Sequence, residues 1–160
     1  MRTIMSRKIK DTPENKKFSK KSFNSKTCEV PDTSIFFSFQ YITSDDHYNL
    51  NYLKKIKSGK EKAIYFDLFS SLSSFSQSSW KELQLKRKQS GGYETIEYGE
   101  MKESIANRLP KEKNISDDTK LIVFRFGNNY RMVGYKSNRC KAAMHVLGFD
   151  FDYSLYNHGS

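Results

Sequence analysis

From Arg125 onward the chain gathers cationic, imidazole and phenolic side chains: Arg125, Arg131, Lys136, Arg139, Lys141, His145, Tyr153, Tyr156 and His158. That inventory suits phosphate. Metal-free RNA cleavage needs a base for the 2′-hydroxyl proton, an acid for the departing 5′-oxygen and fixed cations for the charge on the phosphorane. Arginine on a strand is the natural cation, because its planar fork meets phosphate oxygens bidentately and keeps its charge.

Each of these residues also has a structural reading. Arg125 shares parity with Leu121 and Val123, so it could close the end of an apolar face with its stem packed and its head in water. Arg131, beside a turn on the next strand, could pair with a carboxylate of the tail, Asp150 or Asp152. His145 shares parity with Ala143, Leu147 and Phe149, the setting of a packed histidine. Tyr156 could anchor the tail by burying its ring, and His158, close to the terminus, could be simply solvated. The histidines show no metal-ligand spacing, and Asp150-x-Asp152 reads as a turn-shaping pair. No Walker A loop, GxSxG elbow or dinucleotide fingerprint is present, so neither metal nor cofactor is expected.

The scaffold for these residues is written in the pattern upstream. A 160-residue chain with 36% hydrophobic and 29% charged residues fits one domain with a modest core. Its net charge of +10 is uneven: up to Lys26 there are nine Lys/Arg against two Asp/Glu. With few apolar residues and no sustained period, residues 1–30 read as a flexible basic arm, either solubilising or attracting polyanions, ahead of a single α+β domain over 31–160. No apolar run is long enough for a membrane span or a secretory signal, so a cytoplasmic protein with no membrane partner is expected. Cys28 and Cys140 form no CxxC or Cys/His cluster and read as reduced thiols.

Ile35, Phe37, Phe39 and Tyr41 alternate with their neighbours as one apolar face of a strand. After a lysine-rich stretch, Ile64, Leu68, Leu72 and Phe75, supplemented by Tyr65 and Phe69, make the stripe of an amphipathic helix. Ser79 and Glu82 stand at capping-box spacing before a second helix with a basic end at Lys86, Arg87 and Lys88, and Gly91-Gly92 closes the αα-hairpin. Tyr93 to Tyr98 could be extended, and Met101, Ile105 and Leu109 could form a helical turn or two before Pro110. Lys120 to Phe126 and Tyr130 to Tyr135 form a hairpin across Gly127-Asn128-Asn129, and a third strand runs from about Lys141 to Phe149. The result is an αα-hairpin packed on a twisted antiparallel sheet, which the first strand joins and which ends in a β-meander.

The run Val123-Phe124-Arg125-Phe126, Tyr130-Arg131-Met132-Val133-Gly134-Tyr135 and His145-Val146-Leu147-Gly148-Phe149-Asp150-Phe151-Asp152-Tyr153-Ser154-Leu155-Tyr156 resembles the C-terminal portion of the RelE/ParE toxin-like superfamily. It is closer still to a group of small bacterial RelE-like proteins, and with the Phe37 to Tyr41 strand and the helix through Leu68 to Ser74 the resemblance covers roughly residues 34 to 160. Many members place His where this chain has Tyr153, which removes one acid/base group. The resemblance implies a toxin-type, metal-independent endoribonuclease that binds RNA, on or near the ribosome, with a small acidic antitoxin as a further partner. Arg125, Arg131 and Tyr156 are the residues carried over, Arg131 and Arg125 clamping phosphate while Tyr156 or His158 handles protons. Lys136, Arg139, Lys141, Lys86, Arg87 and Lys88 would hold the RNA. The alternative is a noncatalytic module that uses the same basic surface and the arm to hold nucleic acid or an acidic protein.

Overall fold

The computed structural model describes residues 33–111, 113 and 115–157. The expected basic arm and His158 lie outside these residues. The fold is α+β: a five-stranded mixed sheet in the order β1-β5-β4-β3-β2, with two helices on one face. The strands are β1 (Phe36–Ser38), β2 (Tyr93–Glu97), β3 (Lys120–Phe126), β4 (Tyr130–Lys136) and β5 (Ala143–Asp150). The helices are α1 (Lys60–Ser76) and α2 (Trp80–Leu85). No helix among the described residues is long and apolar enough to cross a membrane.

The sheet is mixed rather than antiparallel because β1 joins β5 in parallel, Phe36 opposite Ala143 and Ser38 opposite His145. The first strand is also shorter than the Ile35 to Tyr41 alternation suggests. Ile35 is buried and Phe37 packs on the helix-side core, but Phe39 is exposed and the chain turns before Tyr41. The loop from Ile42 to Tyr48 still borders β5: Thr43 N–H donates to the Leu147 carbonyl at 2.7 Å and Phe149 N–H to the Tyr48 carbonyl at 2.8 Å. A bulge makes this contact available. Val133 faces Gly148 and Gly134 faces Val146, which leaves Leu147 as the extra residue on β5. A Cβ on Gly148 would stand 2.9 Å from the Tyr48 carbonyl, so only glycine admits that loop.

Strand parity separates two cores. On the helix face, Ile122, Phe124, Phe126, Met132, Val146 and Phe149 meet Ile64, Leu68 and Phe75 of α1 and Leu83 of α2. On the other face, Leu121, Val123, Val133 and Leu147 are covered by Ile105, Leu155, Tyr156, Tyr41 and Tyr48 from the connecting loops and the tail. Ser79 and Glu82 form the capping box that starts α2, with Ser79 N–H donating to Glu82 Oε2 at 2.6 Å and Glu82 N–H to Ser79 Oγ at 3.2 Å. Phe69 does not join the stripe of α1. It is exposed together with Phe66. Met101 to Leu109 forms no helix; Met101 instead bridges Tyr156, and Ile105 is fully buried beneath the sheet. The turn between β4 and β5 carries Cys140, which is disulfide-bonded rather than the reduced thiol expected. The chain's other cysteine, Cys28, lies outside the described residues.

Candidate functional site

The hairpin and the last strand bring Arg125, Arg131 and Tyr156 together. Arg125 stands opposite Arg131, and Arg131 opposite Asp150, so three charged residues form a row across β3, β4 and β5 on the face covered by the tail. Glu94 of β2 completes the cluster. Its Oε1 lies 3.6 Å from the Arg125 guanidinium and accepts the Tyr156 hydroxyl at 3.2 Å, while its Oε2 accepts from the Lys88 ammonium at 2.9 Å.

Burial sets what this cluster can do. Arg131 is only 4% exposed and Asp150 1%. The Arg131 guanidinium donates to the Asn129 carbonyl and lies 4.7 Å from the centre of the Tyr153 ring, a cation–π contact. Tyr153 adopts a left-handed φ of 65°, which brings its hydroxyl within 3.5 Å of the Asn128 carbonyl. Asp150 accepts the backbone N–H groups of Asp152, Ser154 and Leu155, the turn-shaping role its sequence position suggests. Burial and the nearby Glu94 charge push the Tyr156 phenol far above the ordinary tyrosine value, so it keeps its proton and donates it to Glu94. Burial alone would raise Glu94, but the Lys88 ammonium, the Arg125 charge and the Tyr156 hydroxyl outweigh it and hold the carboxyl below its usual range.

Such a network fastens the tail to the sheet. A phosphate clamp needs a guanidinium that a phosphate can reach, and an acid needs a proton it can release. Arg131 is enclosed, Arg125 is ion-paired, and the Tyr156 proton is committed to Glu94. Glu94, the residue on which the cluster converges, was not singled out from sequence; its signal was a carboxylate within the extended run Tyr93 to Tyr98.

The basic residues form a second site at the opposite end of the sheet. Lys136 ends β4, and Arg139 and Lys141 lie in the turn that leads to β5. That turn is held by Ser137, whose hydroxyl accepts the N–H groups of Arg139 and Cys140. Two clefts meet there and share Lys136, Ser137 and Asn138, one of about 690 Å³ and one of about 870 Å³. Tyr93 and Lys113 border the first; Trp80, Lys81 and Lys141 border the second. The Lys136 ammonium sits 4.4 Å from the Trp80 ring centre. Lys86, Arg87 and Lys88 are not part of this end: they follow α2, and Lys88 belongs to the Glu94 cluster.

No family model, curated protein or solved structure matches the chain. Among the described residues no group of three or more His, Cys, Asp or Glu is placed to hold a metal ion. The functional reading therefore rests on the two sites themselves.

Proposed function

We propose that this chain is a noncatalytic RNA-binding module that holds its strand at the end of the sheet where β4 turns into β5. The observation that carries the reading is the convergence of Lys136, Arg139 and Lys141, joined by Lys81 and Lys113, around two adjoining clefts bordered by Trp80 and Tyr93. Among the described residues bordering the clefts the one carboxylate is Glu82, and it is engaged by the capping box of α2. Cations supply attraction to the phosphodiester backbone, and aromatic faces supply sequence-tolerant stacking for bases.

The toxin-type, cleaving form of the RelE/ParE resemblance, in which α1 and α2 act as an αα-hairpin over the sheet, would draw on Arg125, Arg131 and Tyr156. Their enclosure in the Glu94 network favours binding over cleavage. The test is fluorescence anisotropy with labelled single-stranded RNA, with the same RNA then checked for new ends after incubation in EDTA. Saturable binding with intact RNA is expected. New 5′ ends made by the wild-type protein, and lost in an Arg131→Ala variant that circular dichroism shows to be folded, would overturn the noncatalytic reading.

A further inference from the structure

The cleft of about 690 Å³ lies within the range of about 300 to 1,000 Å³ typical of small-molecule sites. Its border combines two kinds of recognition group. Lys113, Lys136 and Arg139 supply three cations, and none of the described residues bordering it is Asp or Glu. Lys120 also borders it, but its ammonium is matched by Glu97 at 2.8 Å. Lys113 is held in place: its ammonium donates to the Tyr41 hydroxyl at 3.0 Å and lies 4.7 Å from that ring's centre.

The second kind of group is neutral. Tyr135 of β4 stands opposite His145 of β5, their rings 5.2 Å apart, and both border the same cleft. The Tyr135 hydroxyl and His145 Nδ1 are buried, and among the described residues neither has a hydrogen-bond partner. These are two of five such groups among the described residues, and they are the two whose residues face each other across β4 and β5 at the border of this cleft, so a ligand wedged against the two rings would supply partners that both lack. Burial and the Lys113 charge lower the His145 pKa, which keeps the ring neutral and one of its nitrogens an acceptor. Tyr93, stacked edge-on against Trp80 and Phe124 at 5.7 Å from each, adds a fixed aromatic wall.

A ligand that satisfies all of these carries a phosphate and a hydrogen-bonding aromatic heterocycle. We infer that this cleft binds a nucleoside monophosphate group, either free or as the phosphorylated end of an RNA strand. The inference deepens the RNA-binding reading and rests on it for the second source.

The single tryptophan of the chain, Trp80, borders the adjoining cleft and contacts Lys136, so its emission reports occupancy. Adenosine 5′-monophosphate, adenosine, inorganic phosphate, and RNA oligomers with and without a 5′- or 3′-terminal phosphate are titrated separately. Adenosine 5′-monophosphate should bind at least about tenfold more tightly than adenosine or phosphate alone, since it engages both kinds of group. Arg139→Ala should weaken every phosphorylated probe by about 10- to 100-fold, the scale of a lost charge-assisted bond. Tyr135→Phe, which retains the ring, should weaken adenosine 5′-monophosphate by about 3- to 10-fold and leave inorganic phosphate unchanged. Tighter binding of end-phosphorylated RNA identifies the strand end as the source. Binding of the free nucleotide without any RNA binding identifies the free nucleotide and rejects the RNA reading. RNA binding indifferent to end phosphates, together with no detectable nucleotide binding, overturns this inference and leaves the RNA reading standing.

Discussion

Replacing Arg131 by alanine should destabilise the fold severely while leaving the basic end intact. The guanidinium is enclosed at 4% exposure, stands opposite the 1% exposed Asp150, donates to the Asn129 carbonyl and packs over Tyr153. Removing one member of a buried charged cluster costs about 3 to 5 kcal/mol, because the groups left behind keep their desolvation cost. Arg125, opposite on β3, offsets part of this, since a like charge is also removed, so the lower end, about 3 kcal/mol, is expected. For a chain of this size each kcal/mol lowers Tm by about 2 to 4 °C, which gives a fall of roughly 6 to 12 °C. Urea unfolding followed by circular dichroism reads the change directly, with Arg139→Ala as the matched control. Arg139 is an exposed cation at the rim of a cleft, and its loss should stay within about 0.5 kcal/mol. A loss below about 1 kcal/mol for Arg131→Ala would refute the enclosed-network account and return Arg131 to the set of accessible phosphate ligands.

The same contacts carry further outcomes. Glu94 is held below its ordinary value of 4.5, so its contribution to stability is present above that pH and lost as pH falls through the folded value. Urea unfolding between pH 5 and about pH 3 should therefore show a slope that flattens in Glu94→Gln, and an unchanged slope would count against the network. Tyr156→Phe removes the hydroxyl bonded to Glu94 and should cost about 1.5 to 3 kcal/mol, the scale of a bond to a charged group. Gly134→Ala would bring a Cβ to 2.2 Å from the His145 carbonyl, a backbone atom, and should cost at least about 1 to 3 kcal/mol, read as a lower urea midpoint. Non-reducing digestion of the protein isolated under alkylating conditions should release the Cys140 peptide in disulfide linkage. Recovery of the alkylated free thiol without reductant would contradict the bond.

The parts legible in the sequence are those governed by local periodicity. At about 100° per residue, Ile64, Leu68, Leu72 and Phe75 fall within about 80° of one another, so the buried stripe of α1 was readable. The same arithmetic places Phe69 about 140° and Phe66 about 200° from Ile64, which is why both are exposed. The hairpin of β3 and β4 announced itself through β-formers around Gly127-Asn128-Asn129, and its turn takes positive φ at Gly127 and Asn129. The parallel pairing of β1 with β5 was not legible, because it depends on a partner more than a hundred residues away. The spacing of Met101, Ile105 and Leu109 mimics a helix, yet these residues pack individually against the tail face of the sheet. In the site, parity placed Arg125 with Leu121 and Val123, and the hairpin turn placed Arg131 beside it on the partner strand. The structural reading of Arg131 beside a tail carboxylate and of Tyr156 as the tail's anchor was available from their positions, whereas the part of Glu94 was not readable, since it lies on β2 far from both in sequence.

The central claim, RNA held at the β4 to β5 end, is tested most directly by the salt dependence of binding. Single-stranded RNA releases counterions as phosphates are neutralised, with a slope of log K against log salt of about −0.7 per contact. The Lys136→Ala, Arg139→Ala, Lys141→Ala triple variant should therefore bind more weakly and with a slope shallower by about 2, three contacts at about 0.7 each. A wild-type slope preserved in the variant would show that the strand is held elsewhere and would contradict the account.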